Sequence, residues 1–457
     1  MPFPLPAVPA IIILMLLLPR IAYLNITSGM VAKRVCSEIF VAGRDPKGSY
    51  EEENLMFGEY TSFEVDEKAK TVEASTLGFW SQVAAWHKGF GCTLVRDSSV
   101  EEIQKQTLDI PPRADTNDLP WPLGDRLSEQ TPQKGLDRSK LKETLDWAFE
   151  EADPNHIKRT RAVIVLYRGD LVAERYAEGF GRETPFLGWS LAKSVTHGII
   201  GAAVQKGLTS IDQPAGFSEW QYEEREHITL DHLLRMSTGI EFDEWPTPGS
   251  DLTDMLYLSH DMAKRASEED LEVEPGTRWA YSSGTSIMVM RVLREILRDK
   301  AYHRFPYEAL FNPIGISSAI FETDPVGNFV SSSYLYMTAR DWARFSLLYT
   351  RDGIWNGVRI LPKGWVKYGC TPSPASAKSQ YGAHWWVNGG ENSKSEDRTY
   401  PKLPGNLCYA SGFEDQLIAI LPDQELVILR FGVTPDPSAF DVEKFILKVI
   451  NSVTPVD

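Results

Sequence analysis

Cysteine is scarce in this chain of 457 residues, and so is any excess of positive charge. The four cysteines stand far apart and are not interleaved with histidine, so no spacing is typical of a metal site. The formal net charge of -16 argues against nucleic acid and anionic lipid surfaces as partners. No internal repeat and no long low-complexity tract is present. What remains is an ordinary globular composition, with 42% apolar and 24% charged residues, and ample material for a core.

Positive charge is also missing from the N-terminus, where no charged residue precedes Arg20. Residues 10–18 form an uninterrupted apolar run, typical of a signal peptide core or of a membrane helix that continues to Leu24. Because a charged leader and a small-x-small cleavage site are both missing, an uncleaved anchor is favoured, with a non-native start as the alternative. We therefore predict an exported protein, periplasmic or membrane-anchored, with residues 1–24 as signal or anchor and residues 7–24 as the membrane contact.

The cysteines themselves fit two disulfides in such an exported protein. Four cysteines allow three pairings. Their order along the chain favours Cys36 with Cys92 and Cys370 with Cys408. Four buried free thiols are the alternative, since unpaired cysteine is among the most buried residue types.

One helical turn carries the strongest chemical signal. Ser190 stands three residues before Lys193, at the head of the apolar run 195–204. Positions i and i+3 share a helix face, so the hydroxyl and the amine are able to meet. A serine hydroxyl needs an adjacent base, and burial keeps a lysine neutral by disfavouring its charged form. We predict that Ser190 is a nucleophile and Lys193 its base.

The same spacing occurs at Ser139 and Lys142, inside the polar run 137–142, where it indicates a solvated helix start. The corresponding alternative for Ser190 is a helix N-cap, with Lys193 pointing to water.

Further along, Tyr281 lies in a turn that leads into an apolar helical pattern. Its phenol is a candidate second proton carrier, whose pKa a nearby ammonium would lower. A packed aromatic is the alternative interpretation.

Taken in order, five stretches resemble the serine β-lactamase and penicillin-binding-protein superfamily. The similarity is greatest to the branch of class C β-lactamases, family VIII-type esterases and 6-aminohexanoate-dimer hydrolases, and it covers roughly residues 135–455. The resemblance implies a serine hydrolase with an acyl-enzyme on Ser190, Lys193 and Tyr281 as proton carriers, and no cofactor or metal. The matching stretches are residues 189–194, 228–239, 275–283, 336–345 and 412–416.

Two departures from the superfamily pattern bear on the substrate. Ser283 stands where β-lactamases have the asparagine of their tyrosine motif. The Lys-Thr-Gly or His-x-Gly motif, expected near residues 407–412, is missing in that form, so no cation stands there. A neutral small-molecule ester or amide is therefore expected as substrate, with weak or no β-lactamase activity. The expected substrate-binding residues are Ser283, Ser411, Gly412 and His384, and the resemblance places one oxyanion donor at Ser190 and another near Gly412.

The fold class follows from two hairpins at opposite ends of the main region. Residues 160–167 and 171–176 flank a tight turn, as do residues 416–421 and 426–432, and mostly helical patterns lie between them. Distant strands of this kind require an antiparallel sheet flanked by helices, an α+β fold with a helical subdomain. The family resemblance implies the same layout, with the active site at the junction of sheet and subdomain. We assign an N-terminal extension to residues 25–134 and a β-lactamase-like hydrolase domain to residues 135–457.

The extension contains one strand-like piece, residues 89–95, and a proline-rich stretch, residues 111–122. Prolines forbid a continuing helix and suit a strap over the surface. Similar lead segments occur in relatives of the branch, so this one is interpreted as an appendage.

Two rival functions are considered. Residues 188–192 nearly match the Gly-x-Ser-x-Gly elbow of α/β-hydrolases, with His384 as the late histidine, but the segment 181–187 before the serine is polar and contains a proline. The second rival is a covalent ligand sensor, a penicillin-recognising type of protein that is acylated and never turns over.

Overall fold

The computed structural model describes residues 8–46, 60–109, 118–127 and 134–453, and for residues 8–22 it describes the backbone only. The predicted signal or anchor, residues 1–24, therefore lies largely outside the described side chains and stays a prediction. Helix α1 runs through the predicted boundary at residue 24. Within the described ranges, no helix combines the length and apolarity needed to cross a membrane.

Helices and strands alternate along the chain, with most helices between the two predicted hairpins. The helices are α1 Val8–Phe40, α2 Val100–Lys105, α3 Arg138–Phe149, α4 Leu191–Gln205, α5 Leu230–Leu234, α6 Asp251–Leu258, α7 Met262–Ser267, α8 Ser283–Leu297, α9 Asp299–Pro306, α10 Ala339–Thr350, α11 Trp365–Gly369 and α12 Val442–Ile450. The strands are β1 Thr61–Asp66, β2 Thr71–Thr76, β3 Trp80–His87, β4 Gly91–Leu94, β5 Thr160–Tyr167, β6 Asp170–Tyr176, β7 Pro185–Leu187, β8 Ile320–Phe321, β9 Leu335–Thr338, β10 Ile354–Trp355, β11 Val358–Arg359, β12 Trp386–Val387, β13 Cys408–Gly412, β14 Gln416–Leu421 and β15 Leu426–Gly432.

The main sheet has six antiparallel strands in the order β12-β13-β14-β15-β5-β6. Both predicted hairpins are present, and β15 pairs with β5, which joins the two ends of the hydrolase region. Strand β5 alternates between two cores: Val163 and Val165 pack with α3 and α12, whereas Ala162 and Ile164 belong to the larger core. Helices α4 and α10 lie against that second face. The predicted α+β class with an antiparallel sheet is confirmed.

The segment between β6 and β12 supplies the helical subdomain and a small sheet of order β7-β9-β8. Helices α7 and α8 pack together, and α5 packs on α8. Strand β7 leads directly into the turn that contains Ser190, so the small sheet positions the start of α4.

The N-terminal extension is more structured than the sequence indicated. Strands β1 to β4 form an antiparallel sheet of their own in that order, and α1 packs against this sheet. The sequence showed one strand-like piece because β1 exposes every second residue, β2 buries every second residue, and both carry few apolar side chains. The strap prediction holds for the described part around Trp121, whose indole Nε1 donates to the carbonyl of Gly169 at 3.0 Å. Residues 111–117 of the predicted strap lie outside the described residues.

Two disulfides join the cysteines as chain order favoured. Cys36 of α1 bonds to Cys92 of β4, and Cys370 bonds to Cys408. The alternative of four free thiols is wrong, since no cysteine is free. The first bond ties α1 to the sheet of the extension. The second fixes the loop after α11 to strand β13 of the main sheet, which reaches the predicted active site.

Candidate active site

The Ser190 turn lies between strand β7 and helix α4. Gly188 is required there, because a Cβ on it would lie 2.4 Å from the Trp342 ring. Trp189 has a left-handed backbone, with φ 48°, which turns the chain sharply before the helix. Ser190 occupies the N-cap position, yet its side chain makes no capping hydrogen bond. The hydroxyl is thus held by other partners, and the N-cap alternative does not describe it.

Lys193 is that partner. Its Nζ lies 3.1 Å from the Ser190 Oγ, and its side chain is buried, with a residue exposure of 1%. The same Nζ donates to the Ser283 Oγ and to the Ser332 carbonyl, each at 3.1 Å. Burial lowers the pKa of Lys193 to about 8, although the Glu244 carboxylate opposes the shift. The neutral amine that a base requires is therefore populated as a minor form near neutral pH and becomes the major form above about pH 8.

Tyr281 stands just before the N-cap of α8 and faces the same pair. The Lys193 Nζ lies 4.8 Å from the centre of its ring, and hydrogen bonding with the Ser190 hydroxyl acts to lower the pKa of its phenol. The ring stacks on Trp386 with centroids 5.2 Å apart. The expected lowering of the Tyr281 pKa is wrong: burial raises it and the Glu244 carboxylate adds to the rise, both outweighing the hydrogen bond. Tyr281 is consequently a neutral phenol that is able to donate.

Ser283 lies between a cation and an anion. Its Oγ accepts from Lys193 at 3.1 Å and donates to Glu244 Oε1 at 2.6 Å, while its backbone N–H donates to Glu244 Oε2 at 2.7 Å. Burial raises the pKa of Glu244, and the Lys193 ammonium opposes this. Glu244 was not predicted from the sequence, since an acidic residue in a polar loop carries no local signal of such a contact. Ser283 thus lies beside Lys193, and its predicted contact with substrate stays a prediction.

Strand β13 closes the site on the other side of the nucleophile. Gly412 approaches the Ser190 turn so closely that a Cβ on it would lie 2.5 Å from the Gly188 carbonyl oxygen. Ser411 precedes it in β13 and pairs with Leu417. Phe413 follows, 54% exposed, with its ring edge-on to Trp189 at a centroid distance of 5.4 Å. The end of β13, where Ser411 and Gly412 were predicted to bind substrate, thus lies beside the turn that contains Ser190.

Two backbone N–H groups flank this junction. The N–H of Ser190 and the N–H of Phe413 have no hydrogen-bond acceptor among the described residues. Unpaired donors beside a reactive hydroxyl are what an oxyanion site needs. The resemblance placed a second oxyanion donor near Gly412, and Phe413, at the first position after β13, is the candidate for it.

His384 lies behind the site. It is 1% exposed, with Nδ1 3.0 Å from the Lys193 carbonyl oxygen and Nε2 3.2 Å from the Ser286 Oγ. Burial and the nearby Lys193 ammonium lower its pKa to about 3, so it is a neutral, packed ring. The structure does not bring it to the substrate side. The α/β-hydrolase alternative also fails, because β7, which precedes Ser190, belongs to a small antiparallel sheet.

No group of three histidine, cysteine, aspartate or glutamate side chains in the described ranges is arranged to hold a metal ion. The residues of the candidate site bring a hydroxyl, a buried amine and a neutral phenol together, and the end of β13 lies beside them.

The comparisons with known proteins agree with this architecture. A 6-aminohexanoate-dimer hydrolase from Paenarthrobacter ureafaciens is 21% identical over 303 residues, which are 61% of this chain and 74% of the relative. A Bacillus anthracis structure provisionally described as a 6-aminohexanoate-dimer hydrolase aligns with TM-score 0.52 and 23% identity, covering 76% of this chain and 86% of the other. The octameric penicillin-binding protein homologue from Pyrococcus abyssi aligns with TM-score 0.51 and 16% identity, covering 70% and 78% respectively.

At these identities the structural likeness establishes a shared fold. The family model described as Beta-lactamase matches residues 152–448, which is more than half of the chain and contains every residue of the candidate site. The expected family resemblance is confirmed. This chain belongs to the β-lactamase family.

Proposed function

We propose that the protein is a serine hydrolase that cleaves a small ester or amide through an acyl-enzyme on Ser190. The observation that carries this proposal is the 3.1 Å contact between the Ser190 Oγ and the Nζ of Lys193, whose pKa burial lowers to about 8. A lysine on the surface would stay protonated and serve no such purpose.

In the acylation step, neutral Lys193 takes the Ser190 hydroxyl proton as the oxygen attacks the substrate carbonyl. The carbonyl oxygen becomes an oxyanion, and the N–H groups of Ser190 and Phe413 are its proposed donors. Tyr281, held neutral by burial, protonates the leaving alcohol or amine, and the Lys193 ammonium returns a proton to the phenol. The bond from the carbonyl carbon to the leaving group breaks, and an acyl ester on Ser190 remains.

In the deacylation step, water replaces the leaving group. Lys193, neutral again, removes a proton from water through Tyr281, and the hydroxide adds to the acyl carbonyl. Collapse of the second oxyanion breaks the ester bond and returns the proton to Ser190. The product is a carboxylic acid, and the enzyme regains its starting state.

A neutral substrate fits this site better than a penicillin. The Ser283 hydroxyl is already engaged by Lys193 and Glu244, so it is not available to grip a side-chain amide. Residues 407–412 supply no lysine or histidine for a substrate carboxylate. A charge-assisted hydrogen bond is worth roughly 1.5–3 kcal/mol. Its loss lowers affinity by about one to two powers of ten.

Short-chain esters should therefore be turned over far better than penicillins or cephalosporins. The measurement compares kcat/KM for p-nitrophenyl acetate, p-nitrophenyl butyrate and nitrocefin on one preparation. Short amide oligomers belong in the same panel, because the Paenarthrobacter relative is named for such a dimer and an amide without a nearby carboxylate escapes the penalty. A kcat/KM for nitrocefin equal to that for the butyrate ester would contradict this substrate class.

The pH dependence should report Lys193. Because the neutral amine is the base, kcat/KM should rise with pH and level off above about 8, the pKa of Lys193. The Glu244 charge favours the ammonium and so raises that pKa. Glu244→Gln should consequently move the rising limb of the pH profile to lower pH. An unchanged limb would show that Glu244 does not act on the base, and Asp254→Asn, at an acid outside the site, serves as the control.

A covalent sensor is distinguished by its kinetics. An enzyme gives continued release of p-nitrophenol, whereas a sensor gives one burst equal to the protein concentration and a stable mass adduct on Ser190. Intact-mass spectrometry during turnover of the butyrate ester separates the two. A persistent adduct without turnover would replace the hydrolase with the sensor.

A further inference from the structure

The two backbone segments that carry the proposed oxyanion donors share an unusual conformation. Trp189, directly before Ser190, has φ 48°, and Glu414, directly after Phe413, has φ 63°. Left-handed backbone is unfavourable for residues with a side chain and persists only where the surroundings hold it. Something in the fold must therefore fix both turns at once.

A triad of side chains joins the two turns. The Trp189 Nε1 donates to Glu414 Oε2 at 3.3 Å. Arg34 lies 3.5 Å from the same Glu414 oxygen, and its guanidinium is 4.8 Å from the centre of the Trp189 ring. The side chains of Arg34 and Glu414 are only 4% and 9% exposed. Solvent and salt screen such a buried ion pair only weakly. The two charges must therefore stay close together, which restricts the positions of both side chains.

Arg34 comes from helix α1 of the N-terminal extension, and that helix is firmly held. The adjacent Lys33 forms a buried ion pair with Glu322 of the hydrolase domain. The Glu322 carboxylate also accepts from the Ser37 hydroxyl at 2.8 Å and from the Cys92 backbone N–H at 2.7 Å. The disulfide from Cys36 to Cys92 lies beside these contacts. These bonds fix the position of α1 along its axis and its rotation about that axis. They therefore also fix the position of Arg34.

We propose that Arg34 is a positioning residue for the oxyanion site, acting through Trp189 and Glu414. The N-terminal extension then contributes to the active site. It supplies the cation that holds in place the two turns that carry the proposed oxyanion donors. This inference rests on the proposed function, since it assigns Arg34 to the stabilisation of the same oxyanion. It concerns residue 34, which lies outside the region matched by the family model.

The first test is Arg34→Met, which removes the charge and keeps the length of the side chain. Because misplaced donors weaken transition-state binding more than substrate binding, kcat for p-nitrophenyl butyrate should fall roughly ten- to a hundredfold. KM should change by less than about threefold. Phosphonylation of Ser190 by a p-nitrophenyl alkylphosphonate should slow by a similar factor. Arg34→Lys should recover part of the rate, since it restores the charge without the guanidinium fork.

The matched control is Arg96→Met. Arg96 is also in the extension and also reaches the hydrolase domain, through a bond from its Nε to the Leu258 carbonyl at 3.2 Å. It has no contact with Trp189 or Glu414 in the described structure. If Arg34 only holds the extension in place, both arginine variants should lower the melting temperature. The kcat of the folded protein should then be the same in the two variants. Equal kcat in the two variants would overturn the proposal.

Trp189→Phe keeps the test decisive if Arg34→Met does not fold. This variant keeps an aromatic ring, leaves α1 untouched and removes the N–H that binds Glu414. It should reproduce the loss of kcat with an unchanged KM, and an unchanged kcat would overturn the proposal. A wild type that is neither phosphonylated nor active on esters would instead overturn the proposed function. The activity of the wild type therefore distinguishes a failure of the proposed function from a failure of the proposed role of Arg34.

Discussion

Ser190→Ala should abolish ester hydrolysis while leaving the fold intact. Removal of a nucleophile or of its base from a covalent-catalysis site lowers kcat by a factor of about 10⁴ to 10⁶. The cost to folding should be small, because the Ser190 side chain makes no capping hydrogen bond. Lys193 also keeps its bonds to the Ser283 hydroxyl and the Ser332 carbonyl. We expect the free energy of unfolding to fall by no more than about 1 kcal/mol, the worth of one hydrogen bond.

The chain supplies its own control for this experiment. Ser139 has the same spacing to Lys142, but Lys142 is exposed and pairs with Asp146 at 2.7 Å. Ser139→Ala should therefore keep full activity. The measurements are the initial rate on p-nitrophenyl butyrate, the mass adduct after phosphonate treatment, and thermal unfolding. If Ser190→Ala keeps more than a few per cent of wild-type activity, or is still phosphonylated, the nucleophile is another residue.

The parts of the fold that the sequence predicted are those decided by local pattern. Strands β14 and β15 begin and end at the predicted residues, because continuous apolar runs are bounded by a polar turn. The short strands β7, β8 and β9 were not predicted. With two to four residues each, they are set by contacts between distant segments and carry no periodicity of their own.

The same division applies to the candidate site. Ser190 and Lys193 are three residues apart, so the geometry of a single helical turn is enough to bring them into contact. Glu244 reaches Ser283 across 39 residues, and Glu414 reaches Trp189 across 225, so only the folded chain brings them together. The direction of the Tyr281 pKa was missed for a related reason. A nearby ammonium was expected to lower this pKa, but burial of the phenol raises it and the Glu244 carboxylate adds to the rise.

These contacts give each element of the fold a distinct part in the proposed chemistry. The start of α4 presents the hydroxyl and amine, the turn before α8 presents the phenol, and the end of β13 presents a backbone donor. The charges that touch these groups come from elsewhere, Glu244 from a loop and Arg34 from the extension. The reactive groups thus lie at the ends of helices and a strand of the hydrolase domain, whereas the charges that act on them come from a loop and from the N-terminal extension.

Lys193→Ala should lose nearly as much activity as Ser190→Ala, because a nucleophile and its base act as a unit and their effects are not additive. The double variant should accordingly be no slower than either single one. Lys193→Met, which preserves the volume of the buried chain, should be equally inactive, so a loss of packing is not the cause. Lys142→Ala is the matched control and should keep full activity, since Lys142 is exposed and outside the site.

The decisive comparison is between Lys193 and His384. His384 binds the Lys193 carbonyl and the Ser286 hydroxyl, and it contacts neither Ser190 nor a position open to substrate. His384→Asn should therefore lower stability by roughly 1–3 kcal/mol, the cost of a buried polar group left unsatisfied. Its kcat should stay within about tenfold of the wild type, because only the orientation of the lysine is affected. Steady-state kinetics on p-nitrophenyl butyrate, measured above pH 8 where Lys193 is neutral, rank the variants directly. If His384→Asn were the more damaging change, the histidine and not the lysine would be the base, and the proposed mechanism would have to be abandoned.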